Sequence, residues 1–262
     1  MGINGDTKVM GIMGSPVAHS LSPFIHNFIA KQMCNNIVYT AFDVAQNNFA
    51  TAVKGAEALG IIGFNVTSPH KSEAVKLAVS IDNLAKQADA VNLLKLTKEG
   101  YVGYNTDVYG VQKAFEHQGQ GIDIQGKTIT LIGAGGAGRA AAIAMAQMGA
   151  KKVLISNRTR SKAEVLANIL KMHYNIDTEV CKNHEQSQEI LILATTPDYI
   201  PAGIEGFGII FDVNYHPQNR IPRAFGGIEM LVYQAALTYE IILGVTVPVT
   251  IINQILTEIN GR

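Results

Sequence analysis

Cysteine is scarce in this chain: Cys34 and Cys181 are the only two, far apart and outside any metal-binding spacing. That excludes a disulfide framework as the organising device and makes a reducing compartment the default. Net charge is absent too, with 21 Lys plus Arg against 21 Asp plus Glu and no long run of either sign. The electrostatic signature of a nucleic-acid binder is therefore missing, although a local positive cluster around one small anionic ligand stays open. No apolar run reaches the roughly 18 residues of a membrane span, and the opening MGINGDTKVM lacks the charged and apolar regions of a secretory leader. The expectation is a cytoplasmic protein with no membrane and no nucleic-acid partner. The seven histidines form no ligand cluster, so no metal is called for, and no repeat or low-complexity segment interrupts the chain.

What is present is a chain of 262 residues, 47% of them hydrophobic, enough to fill one large α/β domain or two modest ones. Strand-length apolar runs alternate with stretches of helical period. Lys8–Met13, Ile37–Phe42 and Ile61–Val66 read as strands, with helices at Pro23–Gln32 and Asn47–Leu59 between them. This βαβαβ order predicts a mainly parallel sheet covered by helices. Ala90–Asp107 reads instead as an antiparallel hairpin at a sheet edge, turning at Lys98–Gly100, followed by a helix over Val108–His117. The Gly/Gln-rich stretch Gly119–Gly126 reads as a boundary or a flexible connection. The pattern then restarts with strands at Thr128–Ile132, Lys152–Ser156, Ile190–Ala194 and Gly208–Asp212. Helices are expected at Arg139–Met148, Arg160–His173, Glu229–Leu243 and Pro248–Ile259. The expected fold class is α/β with two domains: a first at about 1–108, a second, Rossmann-like one at about 109–236, and a last helical segment, 237–262, returning to the first.

Residues 133–138 read Gly-Ala-Gly-Gly-Ala-Gly between a strand and a helix. Glycines there allow positive φ and a close backbone approach to a pyrophosphate, and the helix N-terminus offers free N–H groups. A tight strand-to-helix turn without a ligand is the plainer alternative. Gly133, Ala134, Gly135, Gly136 and Ala137 are the candidate pyrophosphate contacts. At the end of the next strand an NAD site usually carries Asp or Glu for the ribose 2′-hydroxyl. Here the chain reads Ser156-Asn157-Arg158-Thr159-Arg160-Ser161-Lys162. Arg158 can grip a 2′-phosphate with a fork of donors, Asn157 and Thr159 can add neutral hydrogen bonds, and Arg160 or Lys162 can add charge. The expected cofactor is NADP, against the alternative of a basic, solvated helix start.

Three clusters precede that turn. Ser20 and Ser22 follow the first strand, and Pro23 suits a first helical turn, making Ser22 a natural N-cap. Capping explains one serine; the second suggests a pair of hydroxyls for a carboxylate. His19 reads as a surface or packing residue. Thr67 and Lys71 lie beyond the third strand, where parallel sheets bind ligands. Lys71 near a helix start is poorly placed for the helix dipole, a hint of function, although exposed lysines are common. Asp107 precedes a helix and reads either as a cap or as the partner of Lys71 in moving a proton to or from an alcohol.

The segments SPVAHSLSPFIHN, FNVTSPHK, DAVN, YNTD, LIGAGGAGRA, SNRTRSKA, DVNYHP and GIEMLVYQAA stand in this order across about residues 9–240. Together they resemble the shikimate dehydrogenase family. The resemblance implies reversible, NADP-dependent reduction of 3-dehydroshikimate to shikimate in the chorismate pathway of aromatic amino-acid synthesis. It implies Lys71 and Asp107 as the catalytic pair and Ser20 and Ser22 as carboxylate contacts. Thr67, Asn92 and Gln234 would contact ring hydroxyls, and Tyr215 would line the substrate site. Gly227 would lie near the nicotinamide, while Asn157, Arg158, Thr159 and Lys162 would surround the 2′-phosphate. The chain departs from the family pattern at Leu93, Val108, Ser72, Leu193 and Arg220. None of these removes a catalytic candidate, but Leu93 and Val108 could reshape the substrate pocket. A quinate/shikimate dehydrogenase using NAD or NADP remains an alternative. A non-catalytic NADP-binding sensor would be expected to lack Lys71 or Asp107. A folate-linked dehydrogenase would not account for SPVAHSLSP. The oligomeric state is left open, a homodimer included.

Overall fold

In the computed structural model, which describes residues 2–118, 122–182, 189–196, 198–215 and 221–261, the chain divides into two units. One is Met1–Thr106 with Val232–Arg262, and the other is Asp107–Leu231. The first unit opens with β1 (Lys8–Gly14), α1 (Ser22–Gln32), β2 (Ile37–Asp43), α2 (Phe49–Ala58) and β3 (Gly63–Val66). Then come α3 (Lys71–Leu77), β4 (Ser80–Ile81), α4 (Asn83–Ala88), β5 (Leu93–Thr97) and β6 (Gly100–Tyr104). The second holds α5 (Asp107–Gln118), β7 (Thr128–Ile132), α6 (Gly136–Gln147), β8 (Lys152–Ser156), α7 (Arg160–Tyr174), β9 (Asp177–Val180), β10 (Ile190–Leu193), β11 (Ile209–Asp212) and β12 (Ala224–Gly226). Helix α8 (Gly227–Leu243) begins in the second unit, and α9 (Val249–Asn260) ends the chain. No helix among the described residues is long and apolar enough to cross a membrane.

The sheet of the first unit runs β2-β1-β3-β5-β6-β4. Strand β1 pairs in parallel with β2 and β3, whereas β5 is antiparallel to both β3 and β6. The hairpin is as expected, but it is not the sheet edge, because the two-residue β4 pairs with β6 beyond it. A strand so short shows no period-2 pattern, and α3 and α4, at seven and six residues, show little helical period. The core packs one face of this sheet with Phe64 edge-on to Tyr101, ring centroids 4.9 Å apart, together with Phe49, Val53 and Leu94.

Sheet two runs β12-β11-β10-β7-β8-β9, with every pair parallel. Counted from β7, this is the order of a doubly wound dinucleotide fold, which reverses direction between β7 and β10. Its strands are near-continuous apolar runs because helices cover both faces. The outer strands β9 and β12 escape the sequence pattern: one is polar at its first three positions, the other is three residues long.

His26 on α1 is fully buried, with its ring flat on Tyr39 at a centroid distance of 4.1 Å. Its two ring nitrogens have no well-formed hydrogen bond among the described residues. Burial pushes its pKa from 6.5 down to about 3, with the nearby Asn65 side chain opposing part of that drop. The fold therefore holds the neutral ring, while the unfolded chain gains a proton below about pH 6.5. Stability should be intact above that pH and fall by about 1 kcal/mol per pH unit as pH drops toward 3. Thermal melts at pH 7 and pH 4.5 test this: His26→Phe should lose several degrees less than the parent chain. Equal losses would assign the acid sensitivity to other groups.

Candidate active site

The carboxyl ends of β1 and β3 and the amino end of β5 share one edge of the first sheet, because β1 and β3 are parallel and Asn65 pairs with Leu93. Strand β6 returns to the same edge, where Tyr104 pairs with Leu93. This topology gathers the loops carrying Ser20, Ser22, Thr67, Lys71, Asn92 and Thr106.

Helix α1 begins at Ser22, not at Pro23, and Leu21 occupies the N-cap with no side-chain cap bond. The Ser20 hydroxyl accepts the Ser22 N–H at 3.2 Å. Ser20, not Ser22, therefore serves the chain turn. Ser22 is buried. His19 is exposed, as expected of a surface residue. Thr67 sits against the end of β1, its N–H bonded to the Met13 carbonyl at 2.9 Å. The absence of a side chain at Gly14 allows this approach, since a Cβ there would overlap the threonine methyl.

Lys71 is half-buried and is the first residue of α3. Glu73 in the same turn offsets part of the unfavourable charge at that helix end. Asp107 is 5% exposed and is the first residue of α5, in the second unit.

Asn92 is the hub of a buried polar network. Its Oδ1 accepts the Thr106 N–H at 2.7 Å, and its Nδ2 donates to the Thr106 hydroxyl at 2.9 Å and to Gln234 Oε1 at 3.5 Å. The Thr106 hydroxyl also donates to Gln234 Oε1 at 3.3 Å. Beneath them the Asn65 amide donates to Thr238 at 3.1 Å and to the Asn92 carbonyl at 3.2 Å, while its oxygen accepts the Tyr39 hydroxyl at 2.7 Å. The structure thus brings together two predicted substrate contacts, Asn92 and Gln234, and adds Asn65, Thr106 and Thr238. A sequence signal for Asn65 exists, as a polar residue inside the otherwise apolar strand Gly63–Val66. Every such group must be paired when buried, so the network also presets side-chain orientation. Leu93 and Val108 are fully buried and can shape a pocket only through packing.

In the second unit, Gly133 has φ +107, and a side chain there would run into the Ala194 carbonyl. Helix α6 starts at Gly136, three residues earlier than expected, because the last glycines of the run take helical angles and Gly135 becomes the N-cap. A Cβ on Gly135 would meet nothing within 4 Å. The turn therefore leaves open room in front of a helix N-terminus, which suits a pyrophosphate.

Asn157 ties this turn to the next strand: its Oδ1 accepts the Ala134 N–H at 2.9 Å, and its Nδ2 donates to the Thr159 carbonyl at 2.7 Å. Thr159 is the N-cap residue of α7 but makes no side-chain cap bond. Arg160 is committed to Glu164 at 2.8 Å. Arg158 and Lys162 are exposed and have no ion-pair partner among the described residues. These features fit a nucleotide carrying a 2′-phosphate.

Tyr215 and Gly227 line one open cleft with Gln118, Asp212, Asn214 and Glu229. Glu229 is buried and accepts a hydrogen bond from the Gln118 amide. Burial raises the Asp212 pKa above the usual carboxylate value, and hydrogen bonds from Asn214 oppose that rise. Sequence pattern alone does not single out Asp212, Asn214 or Glu229. Arg220 lies outside the described residues, as do Gly119 and Gly121. No group of three or more His, Cys, Asp or Glu among the described residues could hold a metal ion.

Three family models match the chain. They are described as the shikimate dehydrogenase substrate binding domain over residues 12–94, shikimate / quinate 5-dehydrogenase over 113–200, and the shikimate 5'-dehydrogenase C-terminal domain over 227–257. A curated relative from Methanocaldococcus jannaschii, a shikimate dehydrogenase (NADP(+)), is 36% identical over 269 residues, covering 93% of this chain and 94% of its own. A crystal structure of a shikimate dehydrogenase in complex with NADP+ superimposes with a TM-score of 0.84 at 34% identity, covering 98% of each chain. The shikimate 5-dehydrogenase of Listeria monocytogenes, solved with shikimate and NAD, gives 0.80 at 28% identity, covering 97% of this chain and 98% of that one.

Proposed function

The chain belongs to the shikimate dehydrogenase family, and we propose that it catalyses the reversible, NADP-dependent reduction of 3-dehydroshikimate to shikimate. The observation that carries this reading is the single edge of the first sheet that presents Ser20, Ser22, Thr67, Lys71 and the Asn92–Gln234 pair. That set offers hydroxyls for a carboxylate, amides for ring hydroxyls and one cation for a reacting oxygen. The first unit is the substrate and catalytic unit, and the second binds the dinucleotide. Within the second, Gly133–Ala137 cradle the pyrophosphate, Arg158 with Thr159 and Lys162 holds the 2′-phosphate, and Asn157 shapes the loop between them. Tyr215 lines the substrate side, and Gly227 lies near the nicotinamide.

When bound, NADPH supplies the hydride. Lys71 stands beside the substrate carbonyl oxygen, stabilises the negative charge that develops there and delivers the proton that completes the alcohol. Asp107 orients that ammonium and shares a substrate hydroxyl. The Asn92 network holds the ring in one pose, which lowers the entropic part of the barrier. The reaction belongs to aromatic amino-acid synthesis and takes place in the cytoplasm. The partner is a small molecule, with no role for nucleic acid, and the chain can act alone or as a homodimer.

The test is an absorbance assay of reduced cofactor with shikimate or quinate, each with NADP or NAD. Turnover with shikimate and NADP should exceed the other three pairs by an order of magnitude or more. Strong quinate or NAD turnover would move the specificity and keep the chemistry. A chain that binds NADP and turns over none of the pairs would sink the proposal.

A further inference from the structure

At the carboxyl ends of β10 and β11 the sheet does not simply stop. The last backbone rung runs from Val213 N–H to the Leu193 carbonyl at 3.0 Å. One residue further on, the Asn214 side chain takes over: Nδ2 donates to the Thr195 carbonyl at 3.3 Å and to Asp212 Oδ1 at 2.9 Å. The same Asp212 oxygen accepts the Asn214 N–H at 3.0 Å. An amide nitrogen has two hydrogens, and both are used to join two loops that are 19 residues apart in sequence. Asp212 is only 8% exposed. Burying a carboxylate for the sake of one side-chain orientation is costly, and an apolar strand end would be cheaper. The clamp is also packed from a third side, because a Cβ at Gly227 would overlap the Asn214 carbonyl. Thr195 in turn follows Ala194, whose carbonyl lies against Gly133. The Asn214 carboxamide thus joins the segments after β10 and β11, whose backbone packs against the turn after β7 and the start of α8.

We infer that Asn214 is a positioning residue for the reactive half of the dinucleotide, with Asp212 as the acceptor that orients it. The inference rests on the dinucleotide reading above. In a doubly wound sheet the nucleotide lies across the reversal point, here between β7 and β10. Arg158, after β8, claims the 2′-phosphate side. The nicotinamide half then falls on the β10–β12 side, where Asn214 lines the cleft. The clamp keeps the floor of that cleft in one conformation before the cofactor arrives, so the ordering cost is not met at binding.

The test separates the two halves of the cofactor. NADPH binding is followed through the fluorescence of its reduced ring, and binding of 2′,5′-ADP, which carries only the adenosine half, through calorimetry. In the full chain, Asn214→Leu should weaken NADPH about tenfold, the loss of two modest hydrogen bonds, and leave 2′,5′-ADP within about twofold. Asn214→Ser, which can bridge only one of the two acceptors, should fall between and guards against misfolding of the leucine variant. The KM for NADPH should rise with that for shikimate unchanged. Equal weakening of NADPH and 2′,5′-ADP would mean general loosening of the unit and overturn the inference, as would no change in either. A parent chain that binds neither ligand would overturn the dinucleotide reading itself, and this inference with it.

Discussion

Replacing Lys71 by alanine is expected to lower kcat about a thousandfold, within the range for loss of a positioned general acid or base, while substrate and cofactor binding survive. The position is an unfavourable one for a cation. Lys71 is the first residue of α3 and half-buried, where the positive end of the helix repels its charge. A chain shaped by stability alone would place a neutral or acidic residue there. The hydroxyls and amides proposed to bind the ring, those of Thr67, Asn92, Thr106 and Gln234, are neutral, and the last three bond to one another. On the proposed mechanism, removing the Lys71 ammonium leaves the developing charge without its partner and the proton without its donor. Because the binding groups are separate, KM for shikimate should change by no more than a few-fold. Steady-state kinetics at saturating NADP measure both constants. Unchanged kcat in the alanine variant would show that Lys71 is not the proton donor; a large rise in KM at constant kcat would make it a binding residue.

The second large effect is expected at Arg158. Arg158→Ala should raise the KM for NADP by roughly 10- to 100-fold, the loss of about 1.5–3 kcal/mol of charge-assisted hydrogen bonding, and leave that for NAD nearly unchanged. Three neighbours narrow the assignment. Arg160 is tied to Glu164, Asn157 is occupied by the Ala134 N–H and the Thr159 carbonyl, and Thr159 can offer only a neutral contact. Lys162 can help, but a lysine supplies a point charge where arginine supplies a fork. Arg158 is exposed without an ion-pair partner among the described residues, so its charge is available to a ligand. The comparison of NADP with NAD in one variant cancels effects on the common part of the dinucleotide. Parallel losses for both cofactors would assign Arg158 to the fold of the loop; no loss for either would leave the 2′-phosphate to Lys162. Salt should weaken NADP binding to the parent chain more than NAD binding, because the contact is between exposed charges.

Much of the fold is legible in the amino-acid sequence. The parallel strands read as apolar runs, the long helices as 3.6-residue patterns, and the dinucleotide turn as glycines between a strand and a helix. These signals are local: each depends on residues within a turn or two of one another, and hydrogen bonding within that span writes them into the sequence. The motif order also points to Lys71, Asp107 and Arg158, because chemistry restricts which residue types can do those tasks.

Tertiary structure decided what lies between distant segments. It assigned the cap-like bond to Ser20 and started α1 at Ser22, which depends on the path of the loop after β1. It committed Arg160 to Glu164 and left Arg158 exposed. It joined Asn92 to Gln234 across 142 positions and Asn65 to Thr238 across 173, and it placed Asn214 against Thr195. It also added β4, β9 and β12, strands too short or too polar to carry a periodic signal. The physical reason is common to all of these. A buried polar group must find a partner, but the sequence states only that it has donors and acceptors to satisfy. Which partner meets it is settled by the packing of the sheet and helices that carry them.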